Sequence, residues 1–253
     1  MLWPAETPVP LFPPEGHPPR VIFRAKVLAS WDETPTVHAI RLEKPAGFSF
    51  APVQFCGLEI ETEAGSEEYP MSLACSPTRP HLEFAARVSS SAWKRAFRAL
   101  APGDTVEVDG AYGHFVLDEE RPAVLVAGGI GITPLKGMLE YATDRALPIP
   151  VSLVYSNRTP AEIAYRGAID TLAAANPRVR VLHTITRPEP GDGWDGRTGR
   201  LDEGLLAEAA RGIEAPKWYV CGKPEMVHEA LRMLRKAGVS ASDVVEERFA
   251  GYG

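Results

Sequence analysis

The sequence is short of cysteine, of long apolar runs and of excess positive charge. Its 253 residues include three cysteines, Cys56, Cys75 and Cys221. Because these are far apart and odd in number, they form neither a local metal or iron–sulfur motif nor a disulfide framework. No stretch reaches the roughly 18–20 apolar residues that a membrane span needs. The sequence therefore predicts no metal site and no membrane-spanning helix.

The net charge of −6 argues against a general nucleic-acid-binding surface. The first residues, Met1-Leu2-Trp3-Pro4, lack the basic start and apolar core of a signal peptide. The expectation is a cytoplasmic protein in a reducing compartment, with an unspecified oligomeric state. An apolar fraction of 45% and a charged fraction of 24% are those of an ordinary globular protein, and the length allows two modest domains.

The chain divides into three regions. Residues 1–19 hold seven of the 24 prolines and predict an extended N-terminal arm. Residues 20–118 predict an antiparallel six-stranded β-barrel, with one helix around Ala92–Leu100. The candidate strands are Val21–Leu28, Thr36–Leu42, Phe55–Ile60, His81–Val88, Thr105–Val108 and Phe115–Leu117.

Residues 122–253 alternate between strands and helices. The candidate strands are Ala123–Ala127, Val151–Tyr155, Val179–Ile185, Trp218–Cys221 and Val244–Glu247. The candidate helices are Pro134–Ala146, Glu162–Ala175, Glu203–Arg211 and Glu225–Ala237. This rhythm predicts an α/β domain with a doubly wound parallel sheet, whose ligands bind at the carboxyl ends of the strands.

Two loops at that edge have the composition of a ligand site. The first is Gly128-Gly129-Ile130-Gly131-Ile132-Thr133-Pro134, in which Thr133 is a candidate helix N-cap and Pro134 a candidate first helical residue. Its glycines let the backbone approach a ligand, and the helix start favours an anion such as a pyrophosphate. The pattern G-x-G-x-x-P departs from the usual dinucleotide fingerprint, so a tight turn without a ligand is the alternative. The second loop, Cys221–Pro224, favours the ligand site because it lies at the same edge.

These loops and several further segments resemble the ferredoxin–NADP reductase superfamily, in its flavin-plus-nicotinamide reductase branch. The further segments are Tyr69–Ala74, Arg87–Val88, Ser91–Arg95, Gly110–Phe115, Tyr155–Pro160 and Glu247–Tyr252. The resemblance implies a barrel that binds FAD, an α/β domain that binds NAD(P)H, and no iron–sulfur domain. It also implies hydride transfer where the domains meet, with electrons leaving to a separate acceptor, either a protein or a small molecule.

The same resemblance assigns roles to residues. At the reacting end it implies Ser72 near flavin N5, Cys221 beside the nicotinamide, and Glu247 and Phe249 near the flavin. The implied FAD-binding residues are Tyr69, Met71, Ser72, Leu73, Arg87, Val88, Ser91, Trp93 and Lys94. The implied NAD(P)-binding residues are Gly128, Gly129, Gly131, Thr133, Pro134, Ser156, Asn157, Arg158, Cys221, Gly222 and Met226. The alternatives are structural: Trp93 and Cys221 as buried core residues, and Lys94 on a solvated helix face.

The sequence departs from the family mainly on the flavin side. Tyr69 stands where the family usually has an arginine for the FAD phosphates, Met71 where a tyrosine often stacks on the flavin, and Val53 where glycine is usual. Losing a charge-assisted phosphate contact predicts weaker FAD binding. The alternative function is therefore a reductase-fold binding or regulatory module, or a subunit, with weak or absent flavin.

Nucleotide preference depends on the loop Ser156-Asn157-Arg158, after the second strand of the α/β domain. An acidic residue there would bind the adenosine ribose and repel a 2′-phosphate. The loop has none before Glu162, and Arg158 is able to pair with a 2′-phosphate. The sequence predicts that NADPH is tolerated and that NADH is not strongly excluded.

Overall fold

The computed structural model describes residues 21–249. The predicted arm, residues 1–19, and the end of the last family motif, residues 250–253, lie outside the described residues. The first half forms one antiparallel sheet in the order β4-β3-β6-β1-β2-β5. Its strands are β1 (Ile22–Thr34), β2 (Val37–Glu43), β3 (Phe55–Thr62), β4 (Gly65–Ser72), β5 (His81–Arg87) and β6 (Thr105–Tyr112), with helix α1 (Ala92–Ala99) before β6.

The sheet curls into a barrel because the chain beyond β4 reaches β5. The Ala74 amide donates to the Glu83 carbonyl oxygen at 2.8 Å. Helix α1 covers the interior with Trp93 and Phe97, which are 2% and 1% exposed. The prediction of a six-stranded antiparallel barrel is confirmed, but the assignment of Phe115–Leu117 to it is wrong and β4 takes its place. The polar start of β4 hid that strand, whereas Phe115 and Leu117 are buried outside any strand.

The second half is a parallel sheet in the order β11-β10-β7-β8-β9, as the sequence predicts. Its strands are β7 (Ala123–Gly128), β8 (Val151–Asn157), β9 (Val179–Ile185), β10 (Lys217–Gly222) and β11 (Val244–Arg248). Its helices are α2 (Ile132–Asp144), α3 (Arg166–Ala175), α4 (Glu203–Ala209) and α5 (Pro224–Lys236). None of the helices within residues 21–249 is long and apolar enough to cross a membrane.

Two predicted helix starts are wrong. Helix α2 begins at Ile132 with Gly131 as its N-cap, because the 3-10 turn Gly129–Gly131 runs directly into it. Thr133 is instead buried inside the helix, where its hydroxyl donates to the Ile130 carbonyl oxygen at 3.1 Å. Helix α3 begins at Arg166 rather than Glu162, since Tyr165 takes a left-handed conformation (φ 59°) that interrupts the helix.

One apolar core spans both halves of the chain. Val37, Val53 and Ala85 of the first half pack in the same cluster as Leu125 and Leu135 of the second. The other face of the parallel sheet packs separately against α4 and α5. Because the two sheets share a core, the carboxyl edge of the parallel sheet faces the barrel at a fixed position.

Candidate functional site: the cleft between barrel and parallel sheet

A cleft of about 1260 Å³ follows the carboxyl edge of the parallel sheet. Small-molecule pockets are typically about 300–1,000 Å³, so this cleft has room for a ligand of dinucleotide size. Arg87 of β5 reaches it from the barrel. The predicted site residues that line it are Arg87, Gly128, Gly129, Ser156, Asn157, Arg158 and Met226.

The glycine loop meets the β10–α5 loop with almost no space between them. A Cβ on Gly131 would lie 2.4 Å from the Cys221 carbonyl oxygen. A Cβ on Gly128 or on Gly222 would lie 2.6 or 2.5 Å from Cε of Met226. Gly131, Thr133 and Pro134 do not line the cleft; Gly131 allows the two loops to touch, and Thr133 and Pro134 are buried in α2. The nucleotide contacts predicted for these three residues are therefore not available from their side chains.

Three side chains that line the cleft, those of Arg87, Asn157 and Glu162, have buried atoms without a well-formed hydrogen bond among the described residues. Asn157 is 5% exposed, and its amide group lies close to the buried Tyr155 hydroxyl, although neither amide atom forms a hydrogen bond of good geometry. Nε of Arg87 is also buried without a partner, although Nη1 of Arg87 donates to the Thr36 hydroxyl at 3.3 Å. A Cβ on Gly129 would lie 3.3 Å from Nη2 of Arg87, so the guanidinium also reaches the glycine loop. Buried polar atoms normally have hydrogen-bond partners, and these atoms belong to residues that line the cleft, where a ligand is able to supply them.

Three arginines line the cleft from backbone positions near the ends of β8 and β9. They are Arg158, Arg187 and Arg200. Within residues 21–249 none of the three guanidinium groups forms an ion pair, whereas Arg232 in the same lining pairs with Glu229 at 3.0 Å. The backbone brings the first two together, because the Arg187 amide donates to the Arg158 carbonyl oxygen at 2.8 Å. This end of the cleft therefore suits an anionic group.

Arg187 and Arg200 were missed by sequence reasoning. Arg187 follows β9 at the carboxyl edge, so the topology rule for parallel sheets was a usable signal. Arg200 has no such signal. It reaches the cleft because the Gly199 amide donates to the Ile185 carbonyl oxygen at 2.9 Å, which attaches a distant loop to the end of β9.

A second cationic site lies on the barrel side. Ser91 caps α1, and its hydroxyl accepts from the Lys94 amide at 3.4 Å. Burial, together with the nearby Arg87 charge, lowers the pKa of Lys94. Lys94 is 9% exposed and therefore does not lie on a solvated helix face. Two cations and a helix N-terminus that converge in this way fit the diphosphate of FAD.

Strand alternation separates the remaining predicted flavin residues. Met71, Leu73 and Trp93 belong to the barrel core, and Tyr69 packs against Trp93 with ring centroids 5.0 Å apart. Leu73 and Trp93 are almost fully buried, so any contact of theirs with FAD would have to come from the backbone, and Met71 exposes little of its side chain. Ser72 points to the other face and is 8% exposed. Val88 is half-buried, and its amide donates to the Thr36 carbonyl oxygen at 2.9 Å.

Val53 has the backbone conformation that the family's glycine would provide. Its φ is 86°, and its side chain is 2% exposed. A β-branched residue in this region is strained, so the barrel holds this valine against its own preference.

Cys221 and Glu247 are neighbours on the paired strands β10 and β11. Burial, and to a lesser extent the Glu247 charge, raises the pKa of the Cys221 thiol well above its usual value. One carboxylate oxygen of the half-buried Glu247 is hidden from solvent and has no partner among the described residues. Burial raises the pKa of Glu247 to about 7. The Phe249 amide donates to the Gly222 carbonyl oxygen at 3.0 Å, which fixes the chain end beside the same loop.

Comparison with known proteins agrees with this architecture. Residues 125–232 match the family described as oxidoreductase NAD-binding domain. The chain is 29% identical over 240 residues to ferredoxin–NADP reductase B of Sorangium cellulosum, covering 90% of this chain and 97% of that protein. It is 25% identical over 232 residues to the phenol hydroxylase P5 protein of Acinetobacter pittii, covering 90% of this chain but only 65% of that protein.

Among solved structures, the fold is similar to a ferredoxin NADP+ reductase from Neisseria gonorrhoeae that contains bound FAD and NADP. The TM-score is 0.76 at 21% identity, over 90% of this chain and 98% of that one. The matched NAD-binding family, these relatives and the two-domain fold together support the resemblance to the ferredoxin–NADP reductase superfamily that the sequence shows.

Proposed function

We propose that the chain is an FAD-dependent oxidoreductase that takes hydride from NAD(P)H and passes electrons to a separate acceptor. The observation that supports this most strongly is the cleft, in which unsatisfied polar groups and unpaired arginines converge from both sheets. When bound, FAD would supply a ring that accepts two electrons together and releases them singly.

On the barrel side, Arg87 and Lys94 would bind the FAD diphosphate near the start of α1. Since Lys94 and Arg87 are already close, an anion between them would remove a repulsion as well as add contacts. Ser72 would place its hydroxyl near the reacting edge of the flavin, as the family resemblance implies. The unsatisfied Nε of Arg87 is the buried atom that argues for an anionic ligand here.

On the nucleotide side, Asn157 would present its amide group to the nucleotide, and Gly128 and Gly129 would let the nucleotide approach their backbone. Cys221 is fully buried in the core and does not line the cleft, so it would support the β10–α5 loop from below as an uncharged thiol and would not contact the nicotinamide with its side chain. Glu247 would hold a proton on about half of the molecules near pH 7, since a group is half-protonated at its pKa.

The central test is whether purified chain binds flavin and turns over. Oxidised FAD should give blue absorption that remains after gel filtration, and NADPH should bleach it without oxygen. Added ferricyanide, an artificial one-electron acceptor, should restore the colour repeatedly. A colourless protein that gains no colour with added FAD, yet binds NADP+ by calorimetry, would support the binding or regulatory module instead.

The cluster of Arg158, Arg187 and Arg200 supports binding of a 2′-phosphate, and hence use of NADPH. Replacing Arg187 or Arg200 by alanine should lower kcat/KM for NADPH about tenfold or more, because each charge-assisted contact contributes about 1.5–3 kcal/mol. NADH should be affected little. Arg232→Ala is the matched control, because Arg232 lines the cleft but is already paired. An equal loss of kcat/KM with both nucleotides would show that the arginine cluster does not recognise the 2′-phosphate.

A further inference from the structure

A buried ion pair joins the barrel to the α/β half. Lys136 on α2 is 4% exposed, and Glu83 on β5 is 1% exposed. Nζ of Lys136 donates to Oε1 of Glu83 at 2.9 Å and to the Ala74 carbonyl oxygen at 2.8 Å. The other carboxylate oxygen of Glu83 accepts from Nε of Arg41 at 2.7 Å. Both ends of the pair are thus hydrogen-bonded away from water.

The surroundings of the ammonium group fit it closely. Nζ of Lys136 lies 4.9 Å from the centre of the Tyr165 ring. One residue further along α2, a Cβ on Gly137 would lie 3.0 Å from the Cys75 carbonyl oxygen. The helix backbone therefore rests against the chain at residues 73–75, so closely that a side chain at position 137 would be tighter than an ordinary van der Waals contact. Burial alone would raise the pKa of Glu83, but the Lys136 charge and the Arg41 hydrogen bond hold it below its ordinary value.

Packing α2 against the barrel strands does not require charged side chains. Apolar side chains of similar volume would do so at least as well, because the desolvation of two ions offsets most of their attraction. A lysine adds hydrogen bonds, which are directional, whereas apolar contacts are not. Its hydrogen bonds to Glu83 and Ala74 fix both the position and the rotation of α2 relative to the barrel strands.

The two ends of this connection lead to the two halves of the proposed site. Helix α2 is continuous with the Gly129–Gly131 turn at the cleft. Ala74 lies two residues beyond Ser72 on the same chain segment. A rigid path therefore runs from the nucleotide loop, through α2 and Lys136, to the residue predicted to lie at the reacting edge of the flavin.

We propose that Lys136 is a positioning residue that sets the distance between the bound nicotinamide and the flavin. This inference rests on the proposed function. Hydride transfer moves a hydrogen with both electrons of its C–H bond from the nicotinamide, which is oxidised, to the flavin, which is reduced. The reacting atoms must lie about 3–3.5 Å apart, and a displacement of about 1 Å is able to slow such a step about 100-fold.

The first experiment needs neither cofactor. Nitroxide labels at Leu28→Cys on β1 and Ala237→Cys after α5 report the distance between the halves by pulsed electron spin resonance. Both positions are exposed, and the three native cysteines are buried, so labelling is selective. The parent should give one narrow distribution, and Lys136→Met a broader or shifted one. Lys136→Arg should restore the narrow distribution.

Arg79→Gln is the matched control. Arg79 also joins the two halves, pairing with Glu140 at 2.9 Å, but its side chain is 36% exposed. It should leave the distance distribution unchanged. Circular dichroism and thermal unfolding of each variant separate a misfolded chain from a folded chain with loosened halves.

The second experiment measures flavin reduction by NADPH and by its 4-deuterated form in a stopped-flow instrument. Lys136→Met should slow the reduction 10- to 100-fold and increase the deuterium isotope effect, with KM for NADPH changed less than threefold. Lys136→Arg should recover most of the rate. A folded Lys136→Met variant with an unchanged distance distribution and an unchanged reduction rate would overturn the proposal. If neither the parent nor any variant retains flavin, the proposed function fails. The distance measurement still tests whether Lys136 fixes α2 relative to the barrel strands.

Discussion

At the scale of single residues, the flavin side of the cleft differs most from what the family pattern implies. Tyr69 packs on Trp93 where the family usually supplies an arginine, while Arg87 and Lys94 approach each other nearby. The chain thus has cationic groups for a diphosphate, but one fewer than is usual. The valine at position 53 adds a strained backbone to the same half.

Replacing Tyr69 by arginine should tighten FAD binding about tenfold or more, because a charge-assisted phosphate contact contributes about 1.5–3 kcal/mol. Fluorescence titration of FAD measures this. Tyr69→Met is the control, since it removes the same ring contact without adding charge. An unchanged dissociation constant for Tyr69→Arg would mean that Arg87 and Lys94 already satisfy the phosphates.

At Val53, glycine should be tolerated about as well as alanine, although alanine is the better residue at most folded positions. Alanine keeps the buried Cβ of the valine, which contributes about 0.8 kcal/mol, and restricting the unfolded chain adds roughly 0.4–1 kcal/mol. It also keeps the cost of a left-handed backbone, roughly 1–2 kcal/mol, which offsets both gains. Val53→Gly and Val53→Ala should therefore unfold at similar urea concentrations. A clear advantage of alanine would show that the strain at φ 86° is small.

Glu247 should make the protein less stable as the pH rises. Its pKa is raised from 4.5 to about 7 in the folded chain, so folding disfavours the charged form. The penalty is absent below the unfolded pKa, grows between about pH 4.5 and 7, and amounts to at most about 3 kcal/mol before solvent screening. From pH 5 to pH 8 the parent should lose more stability in denaturant, or gain less, than Glu247→Gln. The two proteins are compared because burial lowers the pKa of His81 and of His183, which favours the folded chain at the higher pH in both. Glu246→Gln, on the same strand, should keep the parent's pH dependence.

At the scale of elements, the site depends on how closely two loops approach each other. The Gly129–Gly131 turn and the β10–α5 loop meet without room for a methyl group at Gly131. A bulky residue at position 131 would therefore displace both loops, rather than only remove contacts with the nucleotide.

Gly131→Ala should destabilise the chain by about 2 kcal/mol or more, because the new Cβ would overlap the Cys221 backbone rather than a flexible side chain. Nucleotide binding should fall with it. Gly167→Ala in α3 is the matched control, since nothing lies within 4 Å of its Cβ position. That change should stabilise the helix by about 0.5–1 kcal/mol. Urea unfolding of both variants decides between loop packing and an ordinary glycine effect.

At the scale of the whole molecule, the shared core and the Lys136–Glu83 pair make the two halves one cooperative unit. We expect a single unfolding transition in urea and in calorimetry. Lys136→Met should lower the free energy of unfolding by about 3–5 kcal/mol, because it leaves Glu83 buried with one partner fewer.

The double replacement Lys136→Met with Glu83→Leu should be more stable than Lys136→Met alone, since it removes the charge left behind. A double variant that simply sums the two single losses would contradict a coupled pair. Two separate transitions in the parent would contradict a single cooperative unit.

The sequence by itself determined the order of the strands and helices and the class of protein. Alternating apolar strands and helices after residue 122 define the parallel sheet, because each element must bury one face or both, and that need shows as periodicity. The glycine loop was readable for a similar reason, since close backbone approach requires glycine. Strand β4 was not readable, because an edge strand with Glu67 and Glu68 has no apolar alternation.

Only the tertiary structure decided which groups meet across the cleft. Arg200 joins Arg158 in the lining of the cleft because its loop is attached to the end of β9, and Lys136 meets Glu83 from an element 53 positions away. Tertiary packing also turned Met71 and Trp93 into core residues, although their motif pointed to the flavin. Local sequence specifies backbone preference and burial, whereas the partner of a charged side chain depends on how distant elements pack, and no local pattern encodes that choice.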